Sequence, residues 1–127
     1  YGIPLGIAFQ LRDDLLGVFG DSSVTGKPTG DDLIEGKRTA LIAYAQQNLD
    51  SHEHIEFTKL FGQKNLTLDG IDTLRALIQG SGAVDFIEKL IEEKTILALS
   101  AIKNPKISQS GRELLSELAI KATQRSA

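Results

Sequence analysis

Leu5-Gly6-Ile7-Ala8-Phe9-Gln10-Leu11-Arg12-Asp13-Asp14-Leu15-Leu16-Gly17-Val18-Phe19 places Ile7, Leu11, Leu15 and Val18 at steps of four, four and three. That spacing draws one apolar stripe along a helix and predicts an α-helix over residues 5–19. The other side carries Gln10, Asp13, Asp14 and Gly17, so two adjacent carboxylates sit in mid-helix beside an oily stripe. Aspartates are poor helix formers and neighbouring ones repel each other, so a balancing positive charge is expected there.

Downstream, GDSSVTGKPTGDDLIEG over residues 20–36 holds four glycines and a proline among Ser, Thr and Asp, and predicts a long loop. Loops of that length inside a domain are usually functional or disordered. Helical spacing then resumes. A second helix is expected from Arg38 or Thr39 to Leu49, a short one over 50–60, and a third with Asp69 as its N-cap, stopped by Gly80. Ser81 should cap the longest helix, whose face is Val84, Ile87, Leu90, Ile91, Leu97, Ala98 and Ile102, and Asn104-Pro105 should end it. Ser110 and Glu113, in capping-box spacing, should open a last helix burying Leu114, Leu115, Leu118 and Ile120. The expectation is an all-α bundle of five or six helices.

At 127 residues the chain is long enough for one domain with its own core. The absence of cysteine excludes a disulfide framework, a thiolate zinc site and a cysteine nucleophile, and makes a reducing, cytoplasmic location the expectation. A net charge of −3 argues against nucleic-acid binding. No apolar run approaches the roughly 20 residues of a membrane span. Methionine is absent and Tyr1 to Ala8 opens on apolar residues, which reads as a piece of a longer protein.

The chemistry-bearing constellation is Gln10-x-x-Asp13-Asp14-x-x-Gly17-x-x-Gly20-Asp21, then Gly26-Lys27-Pro28-Thr29-Gly30-Asp31-Asp32, then Lys37-Arg38-Thr39. A hard divalent cation suits such a pair, because Mg²⁺ takes carboxylate oxygens and leaves its other positions to water and substrate phosphates. Lysines from the adjoining loop would place point charges on the same phosphates. The arrangement would stabilise charge developing on a leaving diphosphate. Taken alone, an acidic pair before a Gly- and Lys-containing loop is more often solvated surface. Here the helix is apolar on both sides of the pair, which weighs against that. A Walker A loop is rejected because Gly20 and Gly26 are six apart and Pro28 stands where Ser or Thr would hold Mg²⁺. His52-Glu53-His54 lacks the i, i+4 spacing of a helical metal pair and reads as surface, as does Glu92-Glu93-Lys94.

Phe9-Gln10-Leu11-Arg12-Asp13-Asp14-Leu15-Leu16-Gly17-Val18-Phe19-Gly20-Asp21 resembles the second aspartate-rich motif of the trans-isoprenyl diphosphate synthases, or polyprenyl synthetases. Gly26-Lys27-Pro28-x-Gly30-x-Asp32-Leu33-x-x-Gly36-Lys37-x-Thr39 resembles the loop that follows it. The match is dense over about residues 1–45. The resemblance implies an all-α bundle of the isoprenoid synthase type, with residues 1–127 as the C-terminal part of one domain and 20–37 as an active-site loop. It implies Mg²⁺, with Mn²⁺ as an alternative, on Asp13 and Asp14. Lys27 and Lys37 would touch the diphosphate, Phe9 and Gln10 would be substrate-binding residues of the same cavity, and Asp32 and Asp21 would be supporting acids. The implied reaction condenses an allylic diphosphate with isopentenyl diphosphate to give a longer trans-prenyl diphosphate, such as farnesyl or geranylgeranyl diphosphate. The product is lipophilic although the chain has no membrane span, and the implied assembly is a homodimer.

Two departures qualify this. Gly17 stands where the family carries a third aspartate, and the first aspartate-rich motif would lie in a missing N-terminal half, so the piece alone is expected to be inactive. The alternatives are a non-catalytic or regulatory subunit of such an enzyme, which Gly17 favours, and a helical interaction module with an accidental acidic pair.

Overall fold

The structure, a computed structural model, describes residues 2–20, 30–103 and 108–124. Among the described residues are seven helices and no strand, in agreement with the all-α expectation. None of these helices is long and apolar enough to cross a membrane. The chain divides into two compact units, one of Tyr1–Asp13 with Glu88–Arg125 and one built on Asp14–Ile87.

Helix α1 spans Gly2–Phe19 and starts earlier than the periodicity predicts. Pro4 is accommodated in the first turn, where a backbone N–H has no intrahelical acceptor to lose. Its buried stripe is Ala8, Leu11, Leu15 and Val18. Ile7, expected inside, is exposed, and the smaller Ala8 takes the buried place.

The span 20–36, read from sequence as one loop, contains helix α2, Asp31–Glu35. Gly30 and Gly36 flank it, both left-handed, at φ 73° and 68°. These two glycines were legible as loop residues, whereas the single helical turn between them was not. Helices α3 (Ala40–Gln47), α4 (Ser51–Leu60) and α5 (Leu68–Gly80) complete most of the second unit, with α5 packed on both α3 and α4. Thr39 caps α3 by accepting from the Ile42 N–H at 3.3 Å. Asp50 and Glu53 form a reciprocal capping box on α4, at 2.8 and 3.1 Å. The N-cap of α5 is Thr67, whose Oγ1 accepts from the Gly70 N–H at 3.1 Å, and Asp69 lies inside the first turn, where its charge favours the helix dipole. Phe57, Leu74 and Ile78 are fully buried in this unit.

Helix α6, Ala83–Ala101, follows Ser81, whose Oγ accepts from the Ala83 N–H and donates to the Ile78 carbonyl. Helix α7 spans Gln109–Gln124. Its first turn is capped by Ser108, not Ser110: Ser108 Oγ accepts from the Gly111 N–H at 3.1 Å. Ile91, Ala98 and Ile102 are buried in the first unit, as the stripe of α6 predicts, and Ala119 of α7 is buried there too. The apolar residues of α7 behave otherwise, because Leu114, Leu118 and Ile120 are exposed while Ala119 and Thr123 face inward. Leu97 is exposed as well.

Candidate active site

The acidic pair sits in the middle of α1, where consecutive residues point about 100° apart. Asp14 is 4% exposed and Asp13 is half-buried. Gln10 and Phe9 lie one turn earlier than Asp14 and Asp13 respectively, and both are exposed. Gly17 lies one turn later, on the side of the helix shared with the pair. The C-terminus of α1 is fixed from α5: Arg75 Nε donates to the Val18 carbonyl at 2.6 Å, a cation at the negative end of the helix.

Helix α2 brings a third acid to α1. Leu33 is fully buried, and its carbonyl accepts from the Gly62 N–H at 2.9 Å. The glycines around it permit close approach. A Cβ on Gly30 would lie 2.8 Å from Ile71 Cγ2, and one on Gly36 would lie 3.0 Å from the Gly62 Cα. With α2 held in this way, Asp32 is 6% exposed and its carboxylate lies against Gly17, in the space that a side chain at that position would need. Gly17 thus has a steric role that motif comparison alone presents as a missing ligand.

The lysine end of the constellation is tied to the same acid. The Lys37 N–H donates to the Asp32 carbonyl at 2.9 Å, and Lys37 Nζ stands 4.0 Å from Asp32 Oδ2. The Lys37 side chain is 44% exposed, so its charged end is open to solvent and to an anion. Lys27 and Asp21, the other expected members of the site, lie outside the described residues. Among the described residues, Asp31, Asp32 and Glu35 are the acids that bring three carboxylates within 4.8 Å of one another. Sequence reasoning singled out Asp32 alone, although the i, i+1, i+4 spacing of Asp31, Asp32 and Glu35 carried the signal for the other two. His52 and His54 are exposed on α4, as expected of surface residues.

Within the second unit, the donors on the Gly17 side of α1 are carboxylate oxygens: Asp14, one turn earlier on the helix, and Asp32 where a side chain from Gly17 would be. An all-oxygen donor set suits a hard cation such as Mg²⁺ and not a thiophilic metal. Buried carboxylates beside a solvent-facing ammonium can hold a cation and a phosphate side by side.

The polyprenyl synthetase family model matches residues 1–78. The geranylfarnesyl diphosphate synthase of Aeropyrum pernix is 38% identical over 120 residues, which are 92% of this chain and 36% of that protein. The crystal structure of geranylgeranyl pyrophosphate synthase from Corynebacterium glutamicum, complexed with isoprenyl diphosphate and magnesium, superposes with a TM-score of 0.93 at 40% identity, over 98% of this chain and 36% of that one. A polyprenyl synthase from Caulobacter crescentus, complexed with calcium and isoprenyl diphosphate, gives 0.87 at 36% identity, over 100% and 38%. The chain therefore spans little more than a third of the length of these relatives. With the family model matching more than half of the chain and relatives at 38–40% identity along nearly all of it, the chain belongs to the polyprenyl synthetases.

Proposed function

We propose that this chain is the C-terminal part of a trans-prenyl diphosphate synthase, and that it contributes half of the site at which an allylic diphosphate is joined to isopentenyl diphosphate. The observation that carries the reading is the placement of Asp32. Its buried carboxylate packs on bare Gly17, one turn along α1 from the acidic pair, and stands 4.0 Å from Lys37 Nζ. Asp13 and Asp14 would hold Mg²⁺, or Mn²⁺ in its place, which supplies positive charge against a leaving diphosphate.

In this reading Lys37, and Lys27 from the loop before it, bind the diphosphate oxygens of the allylic substrate. They favour heterolysis of the allylic C–O bond because the charge left on the diphosphate is larger after the bond breaks than before. The double bond of isopentenyl diphosphate supplies the electron pair for the new C–C bond, and loss of a proton restores a double bond. Gln10 and Phe9, exposed one turn before the aspartates, would line the cavity on the substrate side. The product is a longer prenyl diphosphate of farnesyl or geranylgeranyl type. A homodimer and a cytoplasmic location belong to the same proposal.

The regulatory-subunit alternative rested on Gly17. The Asp32 carboxylate gives that glycine a reason within a working site, and a drifting pseudo-enzyme has no physical reason to retain the charges of Asp14, Asp32 and Lys37 together. Calorimetric titration with inorganic pyrophosphate, with and without Mg²⁺, tests the site. Binding that requires Mg²⁺ and disappears in Asp14→Ala is expected. Metal-independent binding, or binding unaffected by Asp14→Ala, would overturn the assignment of that aspartate.

A further inference from the structure

Arg12 precedes the acidic pair and commits three guanidinium donors to two partners. Nη1 and Nη2 donate to Oε1 and Oε2 of Glu88 on α6, at 2.7 and 2.8 Å. Nε donates to the Thr123 carbonyl in the last turn of α7, at 2.7 Å. The Arg12 side chain is 14% exposed and that of Glu88 45%, so the guanidinium is largely covered while the fork meets solvent on its Glu88 side. Thr123 is itself fully buried, and its Oγ1 donates back to the Ala119 carbonyl at 2.8 Å. Its own carbonyl belongs to the final four of α7, which have no intrahelical donor, and a cation there complements the helix dipole. All of these residues belong to the first compact unit.

We propose that Arg12 is a positioning residue: it clamps α1 to α6 and to the end of α7, and so sets the rotation and axial register at which the next residue, Asp13, the first of the acidic pair, is presented. The proposal rests on the reading of that pair as the holders of the diphosphate-bound cation. Magnitudes favour a role beyond packing. At a side-chain radius of about 5–6 Å, a helix rotation of about 15° displaces a carboxylate by roughly 1.4 Å. Ligand distances in metal sites are held to about 0.2 Å, so a clamp immediately before Asp13 governs its fit to a cation. Only arginine can make this contact, since lysine keeps the charge but has no planar fork and no Nε donor.

Positioning and simple charge make opposite forecasts. Arg12→Ala removes a positive charge near a cation site and leaves the Glu88 carboxylate behind, so electrostatics alone would tighten Mg²⁺ binding. Lost register would weaken it. Arg12→Lys conserves charge, so electrostatics forecasts no change and lost register again forecasts weakening. In the full-length synthase, Mg²⁺ titrations are read in two ways: as half-saturation of turnover, and as calorimetric binding of Mg²⁺ with inorganic pyrophosphate. Both variants are expected to need about tenfold more Mg²⁺, the scale of losses seen when groups that orient metal ligands are removed. The KM for isopentenyl diphosphate is expected to stay within about twofold of wild type, because register and not substrate contact is lost.

Unchanged or tighter Mg²⁺ dependence in a folded Arg12→Lys variant would overturn the proposal, as would loss of folded protein in both variants, which would make Arg12 a residue of stability alone. Failure of the wild type to bind pyrophosphate with Mg²⁺ would instead overturn the functional reading, and this proposal with it. An active wild type whose variants keep its Mg²⁺ dependence would overturn only the role of Arg12.

Discussion

The carboxylate of Asp32 fills the space beside α1 that a side chain on Gly17 would occupy. A glycine inside a helix ordinarily costs about 1 kcal/mol against alanine, so Gly17→Ala would stabilise an isolated helix. Here the added Cβ meets a buried carboxylate, and overpacking of that kind costs about 1–3 kcal/mol. Gly17→Ala is therefore expected to lower the urea midpoint. In an Asp32→Ala background the same substitution is expected to raise it. A stabilising Gly17→Ala with Asp32 intact would contradict the packing described.

The turn that holds Asp32 depends on Gly36. At φ 68°, with the Gly62 Cα only 3.0 Å from where its Cβ would stand, alanine meets both backbone strain and a backbone neighbour that cannot rotate away. Left-handed geometry in a non-glycine residue costs about 1–3 kcal/mol, and Gly36→Ala is expected to lose at least that in thermal or urea unfolding. A loss below a few tenths of a kcal/mol would show that Gly36 and Gly62 are not in close contact.

Leu33 anchors the same five-residue helix and is fully buried. Leu33→Ala is expected to cost about 2–5 kcal/mol, with turnover falling further than the folded fraction because Asp32 and Lys37 move with the helix. Circular dichroism and turnover measured on the same sample separate the two losses. Turnover that tracks only the folded fraction would mean that α2 does not position the site.

For the charges themselves, Asp14→Ala, Lys27→Ala and Lys37→Ala in the full-length enzyme are each expected to reduce turnover by about a hundredfold or more, equivalent to about 2.7 kcal/mol of transition-state stabilisation. Steady-state kinetics at saturating Mg²⁺ checks this. Any of the three within about threefold of wild type would remove that residue from the site.

Much of this architecture was legible from the chain. Leu11, Leu15 and Val18 marked the buried side of α1, the short helix over 50–60 was expected, and Ile87, Ile91, Ala98 and Ile102 of the α6 stripe are buried. What escaped did so for physical reasons. Helix α2 is a single turn between left-handed glycines, too short to show a period. Thr67 and Asp69 are both good caps, and tertiary context selects between them. Ser108 and Ser110 present the same ambiguity. The apolar residues of α7 gave a stripe, but periodicity does not say which side faces the unit's core, and Ala119 and Thr123 face it. In the site, the acidic pair and Lys37 could be named from their types and spacing. The Gly17 and Asp32 relationship could not, because it joins residues from two elements whose approach is fixed by Leu33, Gly30 and Gly36.

Product analysis tests the central claim most directly: the full-length synthase is incubated with an allylic diphosphate and labelled isopentenyl diphosphate, with Mg²⁺ and with chelator, beside its Asp14→Ala variant. The account predicts label in a prenyl diphosphate longer than the allylic substrate, lost on chelation and lost in Asp14→Ala. Folded full-length protein that forms no longer product, or an Asp14→Ala variant that forms it undiminished, would contradict the account.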